Sequence, residues 1–429
     1  MNINELLRTI SDASVTKEER LQALSALAEK IRSGELKPDV QGDWVNNHIH
    51  TTYSFSPYTP SSAVFYAWKA GLKTAGIMDH DSVGGAEEFI RAGEIIGMPT
   101  TVGFECRVSV AGTALEGRRL NNPDQKSCAY LAMHGIPHQS IAAAEAVLAP
   151  LREKRNQRNT KMCGRITELV APFGISLDFE NDVLPLSQYH EGGSVTERHV
   201  LFALVKKITA AYPNRAQALA LVEKVTRAPL SEKNRDKLMN APENFYEYDI
   251  LGVLKSHMVE HFYVDADEEC MHISEFTALQ KKLGAISAYA YLGDVGESVT
   301  GDKKAQTFED AFLDELFDVL ESLHFCAVTY MPSRNTDAQL NRIMNLCDSH
   351  GFFQISGEDI NSPRQSFICP ALERPEFAHL TEATYALIGH ESAGTKNIDD
   401  SMFADSVKEK FPTLAQRIAH FSAIGGYDK

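Results

Sequence analysis

The chain has 429 residues, 43% of them hydrophobic and 23% charged, enough to bury one large core or two smaller ones. A formal net charge of -16 and a pI near 5.4 remove the basic surface on which nonspecific binding to long nucleic acid or anionic membrane depends. No stretch approaches the roughly 20 apolar residues of a membrane span, and seven scattered cysteines without a C-x-x-C pair suit reduced thiols, so a cytoplasmic protein is expected.

In chain order, "SVTKEERLQALSALAEKI" offers Thr16 as a helix N-cap with Glu19 three residues on, then Leu21, Leu24, Leu27 and Ile31 at helical spacing. Residues 1–43 therefore read as an N-terminal helical extension. "SAVFYAWKAGL" followed by "TAGIMDH" is helix, glycine stop and short apolar strand, and "AEEFIRAGEIIG" followed by "PTTVGFEC" repeats the rhythm. Such alternation predicts parallel strands joined by crossover helices, with functional residues at the C-terminal strand ends, where Asp79, His80 and Glu105 stand. From 139 to 282 the patterns are long, polar and helical, which predicts a helix-rich insertion. Alternation then resumes with "LGAISAYAYLGD", "FEDAFLDELFDVLESL", "FCAVTYMP", "DAQLNRIMNLCDSHG" and "FFQISGEDIN". Residues 44–138 and 283–429 are thus read as one barrel-like α/β body split around an insertion.

"NNHIHTTYSF" places His48 and His50 on one side of a strand, where two imidazoles can grip one ion. Alone, the pair is a weak signal and reads first as a strand with two half-exposed histidines. Three further strand ends, "IMDHDS" (Asp79, His80, Asp81), "VGFEC" (Glu105) and "ISGEDIN" (Glu358, Asp359, Asn361), add mixed imidazole and carboxylate donors of the kind that hold hydrolytic divalent metals.

These stretches resemble a known family. "HIHTTYS", "AWKAGLKTAGIMDHDSVGGAEE" and "MPTTVGFEC" are similar to the opening of the polymerase and histidinol phosphatase (PHP) superfamily. "TERHVLFALV" is similar to its R-P-H helix, "KKLGAISAYAYLGD" stands where its A-H-P-G segment is expected, and "VTYMPSRNTDAQLNRIMNLCDSHGFFQISGEDIN" resembles its closing segments. The match runs in order over residues 44 to 365. The resemblance implies a distorted seven-stranded (β/α) barrel with one to three divalent ions (manganese, zinc or iron) and hydrolysis of a phosphate ester by a metal-activated water. By position it implies His48, His50, Glu105 and Asp359 as ligands of a first ion, with Glu105 bridging to a second and His80 belonging to a third. His134 is the candidate for a further ligand, a shifted alignment putting Tyr130 there instead. His199 matches the histidine of the R-P-H helix, or else is a helix histidine capping a neighbour.

The sequence also departs from the family pattern. Phe55 stands where relatives carry a carboxylate, Asn361 and Tyr291 replace histidines, and Val328 replaces a glutamate. Phe55 and Asn361 weaken the third position, whose ion is expected to be weak or absent although Asn361 keeps coordinating capacity, and Tyr291 weakens the second, where Asp294 is the substitute oxygen donor. Arg334 and Arg364 follow strand ends and read either as a clamp on a substrate phosphate or as salt bridges to the surrounding acids. Asp79, His80, Tyr291, Arg334 and Arg364 are the candidate catalytic residues. The leading expectation is a metal-dependent phosphoesterase acting on a small phosphorylated metabolite or nucleotide. Its alternatives are a metal-binding module without hydrolysis, or a hydrolase or lyase of altered chemistry with Tyr291 as acid or base. Oligomeric state is left open.

Overall fold

The computed structural model describes residues 2–296 and 306–427. One sheet contains β1 (Val45–Ile49), β2 (Thr74–His80), β3 (Thr100–Ser109), β4 (Cys128–His134), β5 (Met271–His272), β6 (Ile286–Ala290), β7 (Ala327–Tyr330) and β8 (Phe353–Ser356). Seven strands follow the order β1-β2-β3-β4-β6-β7-β8, and the short β5 pairs with β3 off that path. The His50 amide donates to the Ile360 carbonyl at 2.9 Å and the Ile360 amide to the His48 carbonyl at 3.1 Å. These two bonds draw the segment after β8 onto β1, and the sheet becomes a nearly closed barrel. The α/β barrel expected from helix-to-strand alternation is what the chain forms.

One strand runs against that expectation. β4 is antiparallel to both β3 and β6. A parallel neighbour requires a crossover connection, but residues 110–127 contain no helix, so the chain simply turns back beside β3. Cys128 consequently lies opposite Ser109, while His134 lies opposite Ile286, the first residue of β6.

The helices are α1 (Ile3–Ser11), α2 (Lys17–Arg32), α3 (Pro60–Lys69), α4 (Ala86–Ile96), α5 (Ile141–Val170), α6 (Glu197–Ala211), α7 (Arg215–Thr226), α8 (Glu232–Met239), α9 (Glu243–Phe262), α10 (Ile273–Leu283), α11 (Leu313–Ser322), α12 (Asp337–His350), α13 (Ala378–Lys396), α14 (Asp405–Lys410) and α15 (Leu414–Ile424). Thr16 and Glu19 close a reciprocal capping box on α2, each satisfying a backbone amide that the first helical turn leaves without a partner. α4 stops at Gly97, whose φ of 81° is a left-handed conformation open to glycine at no steric cost.

Apolar side chains on the outer face of the barrel, among them Ile77, Val102 and Phe104, pack with Phe89 of α4, Phe276 of α10 and Phe317 of α11 into the main core. At the N-terminal end of the parallel strands α13 closes the barrel. Its Glu391 accepts from the Val102 amide at 2.7 Å, its His390 contacts the Gly135 carbonyl at 3.0 Å, and its Thr384 accepts from the Asn47 amide group at 2.7 Å. Helices α5 to α9 fall between β4 and β5 and bury a hydrophobic cluster of their own, which takes in Phe55 from the barrel loop after β1. No helix among the described residues is long and apolar enough to cross a membrane.

Candidate metal centre

His48 lies on β1 and His50 is the first residue beyond it, His80 ends β2, Glu105 is in register with His80 on β3, and Asp359 lies three residues beyond β8. These five side chains meet at the open end of the barrel. The His48 and His50 Nε2 atoms are 3.2 Å apart. His50 Nε2 is 3.1 Å from Asp359 Oδ1, and Glu105 Oε2 is 3.2 Å from His80 Nδ1 and 3.8 Å from His48 Nε2. The His50 and His80 rings lie 4.6 Å apart. Among the described residues, His48, His50 and Asp359 form one group able to hold an ion, and His50, His80 and Glu105 form an overlapping second.

The donor chemistry fits a divalent cation. His80 Nδ1 is buried and makes no hydrogen bond although Glu105 Oε2 is 3.2 Å away, and two such buried acceptors face each other at a cost unless a cation or proton lies between them. Behind the cluster, Asp79 accepts from the Thr51 amide (2.7 Å), the Thr51 hydroxyl (2.5 Å) and the Ser54 hydroxyl (2.6 Å). Ser54 Oγ is also 3.2 Å from His50 Nδ1. With its one proton given to Asp79, Ser54 accepts from His50 Nδ1–H, which leaves His50 Nε2 free to face the cluster. That is how outer partners set the tautomer of a ligating imidazole.

Charge is poorly tolerated without a partner here. Burial, followed by the neighbouring His50, pushes His48 down to about 4, and burial lifts Glu105 to about 7. Burial opposes charge on His50 too, but Asp359, Glu105 and Asp79 outweigh it and raise this imidazole above its ordinary value. Asp359 is itself held well below the carboxylate range, burial being overcome chiefly by His50.

The other residues expected at the site have partners of their own. Because β4 is antiparallel, His134 lies toward the closed end of the barrel, and Tyr130 takes the upper position, its ring 5.7 Å from that of His80. His199 accepts from the Thr196 amide at 2.9 Å and so caps its own helix α6, its ring edge-on to Phe55 at 5.0 Å. Phe55 also packs against Phe202 of α6 and Tyr248 of α9. Tyr291 donates to Asp310 at 2.6 Å, and Asp294 accepts from the Phe308 amide at 2.5 Å. Asn361 stays near it but donates to Asp359 Oδ1 at 2.5 Å, orienting that carboxylate. Arg334 donates to the Leu292 carbonyl at 3.2 Å. Arg364 forms a two-pronged salt bridge to Asp249 of α9, 2.6 Å on each arm. Of the two readings open for Arg364, the salt bridge is the one present.

Sequence reading missed Arg198, the second residue of α6. It is half-buried and its charge acts on His80, Glu105 and Asp359. Among the described residues it makes no hydrogen bond or ion pair. Its neighbour Glu197 bonds to Arg107 at 2.6 Å, and Arg107 stands two residues beyond Glu105, which places the first turn of α6 over the cluster.

No family model and no curated protein matches the chain by sequence. Two solved structures resemble it in fold. One is a proposed metal-dependent phosphoesterase from Bifidobacterium adolescentis, with 19% identity and a TM-score of 0.50 over 79% of this chain and 96% of the other. The second is an amidohydrolase from Chromobacterium violaceum with bound sulfate and no metal, with 17% identity, a TM-score of 0.50 and the same coverage. Fold and site together define an α/β barrel with helical additions and a histidine and carboxylate cluster suited to metal ions.

Proposed function

We propose that this chain is a metal-dependent phosphoesterase of the PHP type, acting on a small phosphorylated metabolite or nucleotide. The observation that carries the reading is the convergence of His48, His50, His80, Glu105 and Asp359 from four places in the barrel wall onto one small volume. These residues would hold one or two divalent ions, which when bound supply Lewis-acid polarisation of a phosphoryl oxygen and a water acidic enough to attack near neutral pH. Asp79 and Ser54 fix the His50 tautomer, and Asn361 fixes Asp359. Arg198, a guanidinium without a protein partner among the described residues, receives the substrate phosphate through paired hydrogen bonds, the role that Arg364 cannot serve while it holds Asp249. The name of one structural neighbour, a proposed metal-dependent phosphoesterase, points the same way.

The test is metal analysis of purified protein combined with phosphate release from a panel of phosphomonoesters. One to two ions per chain and metal-dependent release are expected. His50→Ala and Glu105→Gln should each lower metal affinity and turnover by at least about 100-fold, since even outer-layer partners of metal ligands cost 10- to 100-fold. A protein that takes up no divalent ion refutes the reading. Firm metal uptake with no turnover of any phosphoester would replace it with a metal-binding module.

A further inference from the structure

The long helix α5 carries an unusual buried stripe, Arg152, Arg155, Asn156, Arg158 and Asn159. Its guanidinium groups do not face water. Arg158 bonds to Glu269 at 2.6 Å and to Glu197, Arg107 from β3 bonds to the same two carboxylates at 2.9 and 2.6 Å, and Arg155 lies 3.7 Å from each of them. The remaining arm of Arg155 holds the carboxylate of Asp81. Arg107, Arg155 and Arg158 thus face Asp81, Glu197 and Glu269 in a buried network of balanced charge.

Asp81 directly follows His80 and has a φ of 49°, a left-handed conformation that non-glycine residues rarely adopt and that Asp tolerates better than most. Three bonds hold it there. Its amide donates to the Glu105 carbonyl at 2.8 Å, Arg152 donates to its carbonyl at 3.0 Å, and Arg155 grips its side chain. Two of the three come from α5. The neighbouring Ser82 hydroxyl donates to the Gly192 carbonyl at 2.7 Å, a further tie from this loop to the inserted segment.

We propose that Arg155 is a positioning residue: through Asp81 it turns the chain at the end of β2 so that His80 Nδ1 faces Glu105, making α5 a structural part of the metal centre. As regards the metal, the inference rests on the function proposed above. A buried ion network is a poor source of stability compared with apolar packing of the same volume. Its use lies in geometry, and the geometry fixed here is that of the residue next to His80.

Three variants test this: Arg155→Met, the double variant Asp81→Asn with Arg155→Met, and Arg158→Met. The double variant leaves no unpaired buried charge at the contact, and Asn tolerates the left-handed conformation, so it guards against simple failure to fold. Arg158→Met disturbs the same network without touching Asp81. Manganese affinity of full-length protein and crystal structures of the metal-free variants are the two readouts. Affinity is expected to fall by about 10-fold or more when Arg155 is replaced and to stay at the wild-type value in Arg158→Met, even though thermal stability drops in both. The metal-free double variant should show His80 turned away from Glu105. A folded double variant that keeps the His80–Glu105 contact, or equal loss of affinity in Arg158→Met, overturns the positioning role. Wild-type protein that binds none of manganese, zinc and iron overturns the proposed function instead, and the metal-free structures then still decide whether Arg155 places His80.

Discussion

Arg198 and His199 are adjacent on α6, yet only one of them faces the cluster. Successive helical residues point about 100° apart, so a cap made by His199 with the Thr196 amide leaves Arg198 directed toward His80, Glu105 and Asp359. Losing a charge-assisted hydrogen bond costs about 1.5–3 kcal/mol, which is roughly 10- to 100-fold. Arg198→Met should therefore raise KM for a phosphomonoester by that factor with metal content unchanged, Arg198→Lys should restore part of it, and steady-state kinetics with metal analysis would show both. A KM that does not move would remove Arg198 from substrate binding. At this scale, the candidate cluster was legible where a residue type and a strand end coincide, as at His48, His50, Glu105 and Asp359. Legibility failed where local spacing is silent about direction. His134 and Tyr130 are four residues apart on β4 and share a face, so only the direction of the strand decides which one stands beside His80.

Strand direction and helix burial belong to the element scale, and here hydrophobic periodicity is a partial guide. Period-two alternation is identical in parallel and antiparallel strands, and the signal that distinguishes β4 is the absence of a helical pattern in residues 110–127. The stripe "LREKRNQRN" on α5 shows in the sequence only as polar helix, because its acidic partners, Asp81, Glu197 and Glu269, are distant along the chain. The N-terminal helices show the same effect. The apolar spacing of α2 is plain in the sequence, whereas the buried pair from Arg20 to Glu88 of α4, at 2.9 and 2.7 Å, links positions 68 residues apart. Glu88 also accepts from the Ser61 hydroxyl of α3 at 2.6 Å, so one carboxylate joins three helices. Removing one member of such a pair strands a buried charge, at a cost of about 3–5 kcal/mol. Arg20→Met should lose that much stability in urea unfolding, and adding Glu88→Gln should recover most of it. If the double variant is no better than the single, the pair is not what anchors α2.

For the molecule as a whole, the dominant electrostatic feature is a set of histidines buried in neutral form. Burial holds His48 and His390 down at about 4 and His134 and His199 at about 3. Glu105 and Glu309, raised to about 7 by burial, act in the opposite sense, while Glu197, Glu269 and Asp359, held below the carboxylate range by their arginine and histidine neighbours, act with the histidines. An imidazole whose folded pKa lies below its unfolded value near 6.5 binds its proton more readily in the unfolded chain. The stability it contributes is therefore complete above about pH 6.5 and is lost as pH falls toward the folded value. Metal-free protein should accordingly weaken steadily in acid from about pH 6.5 downward. His134 reports the effect, because its Nε2 is buried without a hydrogen bond and burial, followed by the neighbouring His48, is what lowers it. His134→Leu removes both the unpartnered nitrogen and the linked proton. In urea unfolding, the stability of this variant relative to wild type should rise by roughly 1.4 kcal/mol for each pH unit between about pH 6 and pH 4, while manganese affinity stays within about twofold of wild type. A stability difference independent of pH would mean that His134 is already charged in the folded barrel, and a loss of manganese binding would return it to the ligand set that family resemblance suggested.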